Sequence, residues 1–290
     1  MELNKKQERT ISEVNPSIFR RFPFSPKRKG STTFSGRFQS RFIGQGYEFY
    51  GLREYQLGDD ARKIHWKHYA KTDELNIRED VIESNMRMWV VQDLSASMDF
   101  GEKPVLVKGF FAFIEHLLRE GGNSIGAIGF SDKVHLFQRP TMISLNARKI
   151  QTLLQSKKTQ EARGTNISPA CALLSKHAQP GDIVFIVSDF FLDEDLEKRL
   201  SSLALEQEVI PVVIRDPREY ETMDNIRASF KDMEISRSPV ILSGAGLAHY
   251  DEVLCDIYSR LRLDSLWING TSYSDSMKII SEWLYRRNKS

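Results

Sequence analysis

The chain has 290 residues, 40% of them apolar and 28% charged, with a net charge of +2. That length can bury a sizeable core and allows one or two domains. The composition is that of a soluble globular protein, and no window approaches the roughly 18 consecutive apolar residues of a membrane span.

Basic charge is concentrated at the start. Residues 1–41 carry ten Lys and Arg against three Glu, a balance of +7, which leaves 31 basic and 36 acidic residues in the remainder. The opening residues Met1–Lys6 have no apolar stretch behind their charges and do not read as a signal peptide. Cys171 and Cys255 each sit in an apolar helical pattern with no second Cys or His at metal spacing. Both are expected as buried free thiols, and the cytoplasm is the expected compartment. Residues 1–34 read as a basic leader or extended strap, because Pro16, Pro23 and Pro26 interrupt any helical period. Phe19, Phe22 and Phe24 are its candidate anchors to the body. A basic arm can meet nucleic acid or anionic lipid, but a solvated arm is the commoner outcome, and nucleic acid is not expected as a partner.

Residues 35–85 change character. Gly36, Gly44, Gly46, Gly51 and Gly58 stand among aromatic and β-branched residues, which predicts short strands and turns rather than helix. Two polar clusters stand out, Arg53–Asp60 and Ala61–His68. His65 and His68, three apart, can share one face of a helical turn, but no third metal ligand stands near them.

From Met86 the pattern alternates between strand and helix. Met88–Val91 is an apolar run leading into Asp93. Pro104 starts a helix with Leu106, Phe110, Phe113, Ile114 and Leu117 at 3.6-residue spacing, and Gly121-Gly122 stops it. Ser124–Phe130 and Lys133–Gln138 read as a hairpin, which puts an antiparallel strand at one edge. A short helix over Asn146–Ser156 and another opening at Ser168-Pro169 follow. Ile183–Val187 is wholly apolar, as in a buried parallel strand, and ends at Ser188-Asp189. Asp193 is the expected cap of a helix reaching about Glu206. Glu208–Ile214 is a further buried strand. Short strands are expected near Phe230–Ile235 and Val240–Leu242, then a helix from His249 to Leu261, a strand Leu266–Ile268 and a last helix Ser276–Arg287. The alternation predicts an α/β fold, an open and mostly parallel sheet with helices on both faces.

In such sheets ligands bind outside the carboxyl ends of the strands. Asp93, Ser95 and Ser97 lie at one such end, Asp189 at another, and Thr165 stands in a Gly-Thr-Asn turn before a helix. Hard oxygen donors with few charges among them suit a magnesium-type cation better than zinc.

The set Asp93-x-Ser95-x-Ser97, then Thr165, then Asp189 in Ile186-Val187-Ser188-Asp189 resembles the metal-ion-dependent adhesion site of von Willebrand factor A domains. The strand and helix order over residues 86–290 fits that fold. The block Arg53-Glu54-Tyr55-x-x-Gly58-Asp59-Asp60-x-Arg62-x-Ile64-x-Trp66, then Ala70 and Leu75, resembles the signature of the bacterial DUF58 family. Members of that family place it, as here over 35–85, just ahead of an A-type domain. Many of them also carry N-terminal membrane spans, which this sequence does not show. The resemblance implies a cytoplasmic partner of MoxR-type AAA+ ATPases that acts in assembly or maturation of a client protein.

On this reading Ser95, Ser97 and Thr165 are neutral ligands of Mg²⁺, with Mn²⁺ or Ca²⁺ as alternatives, and Asp93 and Asp189 stand close by or hold the ion's waters. An ion with few anionic protein ligands stays electrophilic and can take a Glu or Asp carboxylate from a partner. The expected function is therefore a non-enzymatic, metal-dependent protein-binding adaptor. The alternative is a Mg²⁺-dependent hydrolase or phosphatase with Asp93 as nucleophile, for which hydroxyls stand where a second acid would be wanted. No Gly-x-x-x-x-Gly-Lys loop is present, so the chain does not read as an ATPase. Asp59, Asp60 and Arg62 admit two readings, a partner-binding surface or a salt-bridged junction with Trp66 as core.

Overall fold

The computed structural model describes residue 24 and residues 43–44, 48–56, 61–81, 86–119, 123–141, 147–156, 165–191, 195–222 and 244–289. It divides into two units, Ser25–Met86, and Arg87–Ser290 together with Met1–Phe24.

In the smaller unit, strands β1 (Ile43–Gly44), β2 (Glu48–Glu54) and β3 (Asn76–Val81) form an antiparallel sheet with β3 in the middle. Between β2 and β3 the chain makes a 3₁₀ turn over Ala61–Lys63 and a helix, α1 (Trp66–Thr72), where strands and turns were expected. The His pair explains the helix start. His65 is its N-cap, and its Nδ1 accepts a 3.0 Å hydrogen bond from the His68 backbone N–H. The three-residue spacing thus serves a cap rather than a metal. Trp66 is 60% exposed, with its ring edge-on to Tyr69, which corrects the expectation of a core tryptophan.

The larger unit holds a six-stranded sheet of β4 (Arg87–Asp93), β5 (Ser124–Phe130), β6 (Val134–Thr141), β7 (Ile183–Ser188), β8 (Glu208–Arg215) and β9 (Leu266–Asn269). Its order is β6-β5-β4-β7-β8-β9, parallel throughout except for the edge strand β6, which runs antiparallel to β5. Counted within the sheet this is the 3-2-1-4-5-6 order of doubly wound folds, whose direction of winding reverses between the first and fourth strands. Here the reversal falls between β4 and β7, so Asp93 and Asp189 leave neighbouring strands at the same edge.

Alternate residues of a strand face opposite sides, and both sides are covered, as the apolar runs require. Trp89, Val91, Val184 and Ile186 pack with Ala170 and Leu174 of α4 (Ser168–His177), Leu200 and Leu203 of α5 (Leu196–Ala204), and Leu254 and Tyr258 of α7 (Gly244–Arg260). On the other face, Phe185 meets Phe110 and Phe113 of α2 (Lys103–Arg119). Helix α8 (Tyr273–Arg287) adds Trp283 there, and Phe24 stacks among Phe113, Phe185 and Trp283 beneath the Arg287 guanidinium. Phe24 thus packs into the core of the larger unit, whereas Phe19 and Phe22 lie outside the described residues. A capping box between Ser272 and Asp275 opens α8, three residues earlier than the spacing predicts. The remaining helices among the described residues are α3 (Ala147–Ser156) and α6 (Arg218–Thr222).

Three expectations need adjustment or fall outside view. Helix α5 opens behind Asp195, whose side chain makes no cap hydrogen bond and pairs with Lys198 at 3.0 Å; Asp193 lies outside the described residues. Cys171 is buried as expected, but Cys255 is exposed. The strands expected near 230–235 and 240–242 lie outside the described residues, as do Gly121 and Gly122.

Candidate metal centre

Strand β4 is hydrogen-bonded on both sides, to β5 and to β7, so its last residue, Asp93, ends in the most enclosed part of the sheet edge. Both carboxylate oxygens already hold the loop in place. Oδ1 accepts 2.8 Å from the Ser95 backbone N–H, and Oδ2 accepts 2.8 Å from the Ser188 hydroxyl at the end of β7. The chain then turns through a 3₁₀ segment, Ala96–Asp99, which brings Ser97 Oγ to 3.0 Å from Ser95 Oγ. Ser95 and Ser97 are both buried. Two hydroxyls facing each other above a fixed carboxylate make a small, mostly neutral oxygen cradle.

Asp189 enters from the next strand and is fully buried. Its Oδ2 accepts 2.9 Å from the ammonium of Lys103, while its Oδ1 is buried with no hydrogen-bond partner among the described residues. Phe190, the residue after it, takes a left-handed φ of 54°, with its N–H bonded to Ser188 Oγ at 2.9 Å. A phenylalanine held there stores strain of order 1–3 kcal/mol. The surrounding bonds hold it. Arg215 Nη1 donates 2.6 Å to the Asp189 carbonyl and Nη2 donates 2.6 Å to Asp251, and the Tyr250 hydroxyl donates 2.5 Å to the Phe190 carbonyl.

Thr165 arrives through the neighbouring strand. Leu94 N–H bonds the Phe130 carbonyl at 2.7 Å, and Asn166 N–H bonds the Ser131 carbonyl at 2.8 Å, so the Thr165 loop docks at the end of β5 beside that of β4. Its Oγ1 is also buried without a partner among the described residues. Buried polar atoms are almost always satisfied. Two orphaned oxygens on residues that leave one sheet edge are a specific reason to place a cation between them.

The electrostatics agree with a cluster wanting positive charge. Burial, and then the nearby Asp189, push the Asp93 carboxyl up to about 6. Burial works against ionisation of Asp189 as well, but Lys103 and Arg215 outweigh it and hold that carboxyl below its ordinary value. The residues present fit a hard divalent ion: hydroxyls and carboxylate oxygens, no thiolate or imidazole. Among the described residues no group of three or more His, Cys, Asp or Glu side chains stands ready for a metal, which sets a hydroxyl-rich site apart from an acidic cage.

The structure thus brings Asp93, Ser95, Ser97 and Asp189 into one hydrogen-bonded and electrostatic cluster and puts Thr165 at the same edge. Asp59 and Asp60 lie outside the described residues, and Arg62 is exposed in the smaller unit. Sequence reasoning passed over Lys103, Glu219, Arg215 and Ser188. Ser188 had a legible signal, a hydroxyl ending an apolar strand beside Asp189. Lys103 had none, since a lysine ahead of Pro104 reads as a solvated helix start. Among the described residues no helix is long and apolar enough to cross a membrane.

The model of the family described as "Protein of unknown function DUF58" matches residues 51–241. Uncharacterized proteins of Mycobacterium tuberculosis and Mycobacterium bovis are 27% identical over 214 residues, covering 72% of this chain and 67% of each relative. Among solved structures, the conserved hypothetical protein BatB of Bacteroides thetaiotaomicron is similar with 16% identity and a TM-score of 0.46, over 71% of this chain and 100% of that one. A von Willebrand factor type A structure from Catenulispora acidiphila is similar with 12% identity and a TM-score of 0.41, over 70% and 43% respectively.

Proposed function

We infer that this chain, which belongs to the DUF58 family, binds a divalent ion of the magnesium class at the switch-point edge of its von Willebrand factor A-like domain and uses it to grip a partner protein's carboxylate. The observation that carries the reading is the pair of orphaned buried oxygens, Thr165 Oγ1 and Asp189 Oδ1, beside the paired hydroxyls of Ser95 and Ser97. Those four groups are the first ligands we assign. Asp93, with both oxygens engaged by Ser95 and Ser188, fixes the loop and would hold the ion's waters. A Mg²⁺ ion keeps water wherever the protein leaves positions unfilled, and an incoming Glu or Asp can replace one of those waters. The chemistry the ion supplies is the attraction of that carboxylate.

The role is binding rather than catalysis. A phosphoryl-transfer reading with Asp93 as nucleophile calls for an acid or base in reach, and the adjacent alternate positions hold the neutral hydroxyls of Ser95 and Ser97. The partner we propose, from the family resemblance, is a MoxR-type AAA+ ATPase or its client, met in the cytoplasm; Asp59, Asp60 and Arg62 are a second candidate contact.

Isothermal titration of the full chain with Mn²⁺ and Mg²⁺ tests the metal. Saturable binding at one site, lost in Thr165→Ala and Asp93→Ala variants that keep their circular dichroism, supports it. Equal heats from wild type and variants would sink it. Capture of the ATPase or client that is abolished by EDTA and restored by Mg²⁺ tests the partner.

A further inference from the structure

Lys103, in the first turn of α2, is fully buried. Its ammonium donates to the Ser97 carbonyl at 3.3 Å and to Asp189 Oδ2 at 2.9 Å, and pairs with Glu219 Oε1 at 2.5 Å. Those contacts use all three of its protons. Nothing about holding α2 to the sheet calls for a charge there, because α2 is already seated by Leu106, Phe110, Phe113, Ile114 and Leu117. A buried cation one bond from a metal ligand has a direct effect on that metal.

The geometry splits Asp189 into two roles: Oδ2 is tied to Lys103 and Oδ1 is left without a partner among the described residues. Asp93, Asp189 and Glu219 are buried and Asp251 nearly so, and with Lys103 and Arg215 these side chains sum to two negative charges, which one divalent ion would neutralise. Glu219 is positioned for this by the loop after β8, where the Asp216 N–H donates 2.9 Å to its Oε2. The Phe191 ring closes the space, 5.5 Å from the Lys103 ammonium and 4.6 Å from the Arg215 guanidinium.

We propose that Lys103 is an internal counter-cation that limits how tightly this site holds a divalent ion, so that firm binding waits for the carboxylate of a partner. The proposal rests on the metal reading above. An ammonium bonded to one oxygen of Asp189 would repel a divalent ion held by the other oxygen, even with generous screening. With Lys103 present, the ion neutralises the buried cluster without surplus negative charge to hold it more strongly. A partner's carboxylate supplies that surplus, and ion and partner then bind cooperatively. Lys103 acts through Asp189 and is a positioning residue.

The test compares two variants that share one change. Glu219→Gln alone removes a negative charge and leaves Lys103 to Asp189. Lys103→Met with Glu219→Gln removes the pair together and avoids stranding two buried carboxylates. Mn²⁺ affinity of the full chain is read by titration calorimetry and by the electron paramagnetic resonance signal of free Mn²⁺. We expect Glu219→Gln to bind Mn²⁺ at least tenfold more weakly than wild type, and the double variant at least tenfold more tightly than Glu219→Gln. Structural damage would weaken binding, not tighten it, so the gain isolates the charge. A double variant no tighter than Glu219→Gln, with wild type still binding, overturns the role of Lys103 and leaves the metal reading standing. No Mn²⁺ binding by wild type or either variant overturns both.

Discussion

The hydroxyl of Ser188 bridges two strands: it donates 2.8 Å to Asp93 Oδ2 at the end of β4 and accepts 2.9 Å from the Phe190 N–H beyond β7. Removing it leaves a buried carboxylate oxygen and a buried N–H each short of a partner. Ser188→Ala should lower the stability of the metal-free protein by about 1–3 kcal/mol, since hydrogen bonds to charged groups lie at the upper end of the usual range. Urea denaturation checks this; a midpoint unchanged from wild type would show that Asp93 is held by other means.

A second latch fixes the loop that follows Ser97. Gly101 has a left-handed φ of 55°, and a Cβ there would overlap Asp216 Oδ2. The same Asp216 accepts 2.7 Å from the Glu102 N–H and pairs with Arg218 Nη2 at 2.6 Å. The Arg218 hydrogen bond is the main reason its carboxyl lies at about 2, below its ordinary 3.8. Because the folded value is the lower one, the stabilisation is present above pH 4 and is lost as pH falls from there through 2. With Arg218 half exposed, the contribution is screened to roughly 1–2 kcal/mol. Asp216→Asn should therefore destabilise the protein at pH 7 and flatten its loss of stability between pH 4 and 2, followed by denaturant titration at each pH.

Phe24 makes its contacts in a box of aromatic rings and is 7% exposed. Truncating a buried phenylalanine leaves a cavity that its neighbours fill only in part. Phe24→Ala should cost about 2–4 kcal/mol, and quenching of Trp283 fluorescence by acrylamide should increase. An unaltered melting temperature would mean that this side chain is dispensable to the larger unit.

Trp66 sets the contrast. At 60% exposure, Trp66→Ser should change stability by no more than about 0.5 kcal/mol. A loss of several kcal/mol would restore the tryptophan to a core.

Much of the larger unit was legible because its signals are local. Ile183–Val187 has the continuous apolar run of a doubly covered strand, and α2 repeats its apolar residues at helical spacing. The residues Asp93, Ser95 and Ser97 advertise themselves by alternation at a strand end. Lys103 does not, because its meaning lies in Asp189, 86 residues later, and in Glu219 at the start of α6. The stretch Trp66–Thr72 differs in the opposite way: the glycine spacing over 35–85 predicts strands and turns, and one reading of the polar block puts Trp66 in a core, whereas the fold uses His65 to cap a small helix and leaves Trp66 in water. Caps and ion pairs are settled by which segments meet, and single-segment periodicity carries no record of that.

Phe24 and Trp283 touch although 259 positions separate them. During synthesis, the aromatic box at this end of the sheet cannot close until α8 has left the ribosome, however early the β4–β5 pair forms. Until then Phe113 and Phe185 present an open apolar face, and the full set of Phe24 contacts comes last. A ribosome stalled before α8 would therefore carry a nascent chain whose sheet is built but whose seam is unsealed, the state in which a chaperone has most to cover.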